Sequence, residues 1–132
     1  MTQQEAYNQY LRSKVLTATP GELTLMLYDA SIRFCNQAIK ACEEGNIEET
    51  HNKIRRVEDI IIELQATLNH KYAVAEDFDN IYNYVRQRLR EANIKKDVEI
   101  LNEINKHLHS VRDNWKEVMK KVAENPELVK AN

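Results

Sequence analysis

The chain has 132 residues, 42% hydrophobic and 30% charged, with a formal net charge of −2, a size that suits one domain with a buried core. No long one-sign block offers a footprint for nucleic acid, and no stretch approaches the roughly 20 apolar residues of a membrane span. Two glycines and two prolines leave little material for tight turns, so the pattern predicts long helices joined by short loops.

The first segment, residues 1–18, begins MTQQEAYNQY. It lacks the basic start and apolar run of a secretory signal, and a cytoplasmic protein is expected. Ala6, Tyr7 and Tyr10 allow one or two helical turns before Ser13. Tyr7, Tyr10 and Leu11 together carry more apolar surface than a solvated tail normally does. The segment therefore reads as a short N-terminal flap docked on the rest of the chain.

The next stretch, Thr17 to Cys42, organises everything after it. Thr19 is a predicted N-cap, Pro20 suits the first helical position, and Glu22 completes a capping box. Leu25, Tyr28, Ile32, Cys35, Ile39 and Cys42 form one apolar stripe. Leu23, Met26, Leu27, Ala30, Phe34, Ala38 and Ala41 form a second, about 150° round the helix. A helix apolar on two sides needs cover on two sides, and the flap is the expected cover for the second stripe.

Gly45 is placed to end this helix in a left-handed conformation, and Asn46, with Glu49 three residues on, begins the next. The core stripe of that helix is Ile47, Ile54, Val57, Ile61, Leu64 and Leu68, with Thr50 in one slot. Ile62 should face away from it. After a break at Asn69–Tyr72, a third helix turns Ala75, Phe78, Tyr82, Val85, Leu89 and Ala92 inward. Ile81 flanks that stripe and Tyr84 points outward. The fourth starts near Asp97 and repeats Leu101, Ile104, Leu108, Val111, Trp115, Val118 and Val122, ending near Asn125–Pro126. The expected fold is all-α: an antiparallel up-down four-helix bundle over residues 19–125, with a mobile tail over residues 126–132.

No chemistry-bearing constellation stands out. Cys35 and Cys42 are one heptad apart, about 10.5 Å along a helix, beyond the roughly 7 Å a disulfide spans. They read as small buried hydrophobes. A di-iron bundle needs two inward Glu-x-x-His pairs, and Glu48–His51 is a single pair lying off its apolar stripe. Glycines only at 21 and 45 exclude a phosphate loop. The basic run Arg86, Arg88, Arg90, Lys95, Lys96 reads as a solvated face. No catalytic residue, cofactor or metal is therefore expected. Surplus apolar surface instead implies a partner chain, with helix-in-groove docking as the natural mode.

The run AYNQYLRSKVLTATPGELTLMLYDASIRF, the block IYNYVRQRLREAN, and Leu101, Leu108 and Trp115 in the last helix resemble, in that order, the flagellar secretion chaperone FliS family. The likeness spans Tyr7 to about Val122. It departs at HKYAVAEDF, where relatives commonly carry a Gly and then Glu-Ile-Ala-x-x-Leu. The resemblance implies a chaperone that binds the disordered C-terminal segment of flagellin, prevents early polymerisation and presents the subunit to the export gate, a further partner. It places Tyr7, Tyr10 and Leu11 on the flap, and Leu25, Tyr28, Ile62, Ile81 and Tyr84 on the surface beside it. A monomer or weak homodimer is expected. Two other readings stay open: a phosphotransfer bundle, for which His107 is the candidate, and a subunit of a larger helical assembly.

Overall fold

The computed structural model describes residues 2–126, and the expected tail, but for Pro126, lies outside them. Among the described residues there are five helices and no strand: α1 (Gln3–Thr17), α2 (Pro20–Glu43), α3 (Ile47–Ala66), α4 (Ala75–Lys95) and α5 (Val98–Glu124).

The first departure from expectation is α1. It is a 15-residue helix rather than one or two turns. Thr2 caps it through a reciprocal box in which the Glu5 N–H donates to Thr2 Oγ1 at 3.1 Å and the Thr2 N–H to Glu5 Oε2 at 3.4 Å. No residue of α1 is buried, and Leu16 is 78% exposed. The flap is thus helical but not docked. Isolated helices of about 15 residues are marginal in water. Amides of α1 should therefore exchange with deuterium far faster than those of α2 to α5. Protection of α1 matching the bundle's would show that it docks in solution.

In place of α1, other helices pack against α2. This helix packs against both α3 and α5, and α4 also packs against both, closing a ring of four. The first apolar stripe of α2 faces α4 and α5. Tyr28 meets Tyr82 there, and the Cys35 thiol donates to the Leu101 carbonyl at 3.6 Å. The second stripe faces α3. Ala38 and Ala41 are buried, and Phe34 lies beneath Lys53 and Arg56. The first stripe is thus covered from within the ring, whereas α3 covers the second only in part, leaving Leu23 37% exposed and Leu27 and Phe34 half-buried.

Side-chain pairings give the helix directions. Gln65 bonds Asp79 and Asn83 while His51 bonds Asn93, so α3 and α4 run antiparallel. Arg88 meets Glu103 while Phe78 meets Trp115, so α4 and α5 do too. Cys42 reaches Lys96 just before α5, and Trp115 near its far end reaches Gly21, so α5 returns along α2. The core they enclose includes Ile54, Val57, Ile61, Leu64, Val85, Leu89, Leu101, Ile104 and Leu108. Ile47, assigned to the core by periodicity, is 67% exposed, since it is the first residue of α3, at the end of the ring.

The local signals at α2 hold. The Glu22 N–H donates to Thr19 Oγ1 at 3.2 Å, and the Thr19 N–H reaches Glu22 Oε1 at 3.4 Å. Thr19→Ala should cost about 1 kcal/mol in urea unfolding; unchanged stability would mean that the cap does not hold the helix start. At the other end Gly45 has φ 74°, and the Asn46 N–H donates to the Ala41 carbonyl at 2.9 Å, a Schellman closure. The buried Thr50 hydroxyl is satisfied by the Asn46 carbonyl at 2.6 Å.

Candidate partner-binding surface

The apolar stripe of α5 is carried on 27 residues, whereas α4 has 21. The end of α5 therefore outruns the helix beside it. Where α4 begins, a groove of about 290 Å³ opens between the two. Val74, Phe78, Ile81, Val111 and Val118 give it apolar walls, and Asp77, His107, Asn114, Glu117 and Lys121 give it a polar edge. Phe78 and Val111 are buried beneath it.

Val118 also lines a second depression of about 350 Å³, with Pro20, Gly21, Tyr72, Trp115, Met119 and Val122. The indole N–H of Trp115 donates to the Gly21 carbonyl at 3.0 Å. Its ring meets Tyr72 and Phe78 edge-on, each at 6.1 Å. Apolar surface thus continues round α5 to the start of α2, next to the point where α1 departs.

Tyr84, 40% exposed and about one turn from Ile81 on α4, does not line the groove but packs against His107 at its edge. Its ring stands edge-on to His107 at 5.4 Å, and its hydroxyl donates to Glu103 Oε2 at 3.3 Å. Glu103 also accepts from Arg88 Nε at 2.8 Å. The Arg88 hydrogen bond, with its charge, holds the Glu103 carboxyl below its usual range. These pairings anchor Tyr84 while leaving one side of its ring to solvent.

Of the eight residues singled out from the sequence, the structure brings together Ile81 and Tyr84. Leu25 is half-buried against the core. Ile62 is 42% exposed on α3 and does not line the groove. Tyr7 and Tyr10 are exposed on α1 and Leu11 half-exposed there. Tyr28 is corrected outright: at 0% exposure it belongs to the core, with no surface for a partner in this conformation. It shares a short hydroxyl–hydroxyl hydrogen bond with Tyr82. Burial raises the Tyr28 phenol well above its usual range and pushes Tyr82 up to about 12, so both stay protonated at neutral pH. The groove residues Phe78, Val111 and Val118 read from the sequence as core alone. The clue to their second role was the length of the α5 stripe relative to its neighbours.

Nothing in the arrangement activates a nucleophile. Burial pushes the Cys35 thiol up to about 11, the opposite of what a reactive thiolate needs. His51 bonds Asn93 Nδ2 at 2.9 Å, away from exposed Glu48. Among the described residues no group of three or more His, Cys, Asp or Glu could hold a metal ion. Among them, too, no helix is long and apolar enough to cross a membrane.

Comparison with known proteins gives a consistent answer. The family model described as flagellar protein FliS matches residues 2–122. The flagellar secretion chaperone FliS of Bacillus subtilis is 37% identical over 119 residues, covering 90% of each chain. That of Campylobacter jejuni is 30% identical over 115 residues, covering 86% of this chain and 90% of its own. That of Salmonella typhimurium is 26% identical over 123 residues, covering 90% and 91%. A crystal structure of a bacterial flagellar chaperone superposes with a TM-score of 0.71 at 15% identity, over 91% of this chain and 99% of the other.

Proposed function

Because this chain belongs to the FliS family of flagellar secretion chaperones, which are not enzymes, we propose that it is the cytosolic export chaperone of flagellin. It binds the disordered C-terminal segment of flagellin, keeps the subunit from polymerising and delivers it to the flagellar type III export apparatus. A component of the export gate is its second partner. We read its frame as an up-and-down four-helix bundle carrying a helical N-terminal arm.

The observation that carries this reading is the groove between α4 and α5, apolar at its walls and polar at its edge. A disordered segment that folds into an amphipathic helix can seat its apolar face there, recovering its ordering entropy as area is buried. Tyr7, Tyr10 and Leu11 on α1, with Leu25 and Ile62, supply further apolar contact as the segment wraps the bundle. His107 is half-buried against Tyr84, a poor position for a phosphorylated residue, which disfavours the phosphotransfer reading.

The test uses a synthetic flagellin C-terminal segment, titrated into the full chain by calorimetry and followed by circular dichroism. Binding with a negative heat-capacity change and a gain of helix is expected. Failure to bind, or binding without gain of helix, would overturn the reading.

A further inference from the structure

The ring of helices has a second face that the groove does not use. Contacts run from α2 to α3, α3 to α4, α4 to α5 and α5 back to α2, so the α2–α3 seam lies across the ring from the α4–α5 groove. At its centre is half-buried Phe34. Three cations surround that one ring: Arg33 at 5.3 Å, Lys53 at 5.5 Å and Arg56 at 5.2 Å from its centroid.

Collecting three positive groups around one ring is repulsive, and the negative face of the ring offsets that only in part. Some cations elsewhere on the surface are neutralised. Arg88 holds Glu91 and Glu103, Lys95 holds Glu91, and Arg112 holds Asp29 and Asp113. Others, Arg90, Lys106 and Lys116, make no ion pair among the described residues, like Arg33 and Arg56. What sets the Phe34 site apart is the convergence of its cations on one ring. At Phe34, Lys53 has Glu49 at 3.4 Å. Arg33 and Arg56 are exposed and, among the described residues, have no carboxylate within ion-pairing distance. The protein's net charge is −2, so this local excess of positive charge stands against the sign of the whole.

We propose that the α2–α3 face centred on Phe34 is a second docking surface, which takes an acidic segment of a partner protein through Arg33 and Arg56. Guanidinium forks receive carboxylates bidentately, and Phe34 with half-buried Leu27 and Ile60 adds apolar contact beside them. A nucleic acid or anionic membrane is the poorer match. Those polyanions are held by extended tracks of cations, and here the positive groups converge on a single ring. Because the two surfaces lie on opposite sides of the ring, an acidic partner can bind while the groove is occupied.

The probe is a fluorescein-labelled synthetic peptide of alternating glutamate and leucine, titrated into the full chain by fluorescence anisotropy. Binding should weaken as salt is raised, and the same peptide with glutamine for glutamate should not bind. Arg33→Gln/Arg56→Gln should weaken binding about tenfold or more. It should leave thermal unfolding and affinity for the flagellin segment unchanged, and Arg56→Gln alone should give an intermediate loss. Equal affinity in wild type and double variant would overturn the proposal, as would parallel loss of flagellin-segment binding. Tighter arginine-dependent binding to duplex DNA or to phosphatidylserine vesicles than to the peptide would also overturn it.

Discussion

Trp115→Ala is expected to destabilise the protein by roughly 3–5 kcal/mol, the range for deleting a large aromatic from a packed site. The indole is the meeting point of three chain segments: it bonds the Gly21 carbonyl of α2 and packs edge-on against Tyr72 in the α3–α4 loop and Phe78 in α4. Those neighbours cannot all collapse into the space left, so transfer and cavity terms add. Trp115→Phe separates the contributions. It keeps most of the ring contact and loses the hydrogen bond, so a cost nearer 1 kcal/mol is expected beyond the smaller burial. Urea unfolding with m-values checks both. A loss under about 1 kcal/mol for Trp115→Ala would mean that the indole is not integral to the core.

How much of this was legible in the sequence depended on whether the signal was local. The cap at Thr19, the left-handed Gly45, the core positions of α4 and those of α5 as far as Trp115 follow from residue type and spacing, and the structure has them where the pattern puts them. Val118 and Val122, by contrast, are only half-buried at the end of α5. Tyr28 was put on the partner surface by the resemblance, whereas its place on the first apolar stripe of α2, with Ile32 and Cys35, already pointed to the core that buries it. A stripe gives a face of a helix, not what covers that face. Two apolar stripes on α2 were read as one for the core and one for the flap, whereas α3 packs on the second, burying Ala38 and Ala41 and leaving Leu27 and Phe34 half-buried, and α1 does not cover it. The length of α1 was available locally: Thr2 and Glu5 form a capping box as readable as that of Thr19 and Glu22. The groove was not available in that way. It arises from the unequal lengths of two helices meeting in space, which no single stripe records.

Within that groove, Ile81 is the side chain whose change should most affect partner binding. Ile81→Asp would place a carboxylate on its apolar wall, one turn from Asp77 on the same helix and near Glu117 across it. In the free protein the position is half-exposed, so the new charge keeps access to water and the fold should survive. A helix seated in the groove would remove that water, leaving a desolvated carboxylate among like charges. The expected result is a loss of about 100-fold or more in affinity for the flagellin C-terminal segment, or about 2.7 kcal/mol. Ile62→Asp is the control, since Ile62 is exposed on α3 and outside the groove; its loss should be no more than about threefold, as for a peripheral contact. Calorimetry on both variants, with thermal unfolding to confirm the fold, separates the outcomes. Equal losses would extend the main contact onto α3, and no loss in Ile81→Asp would remove the α4–α5 groove from the binding site.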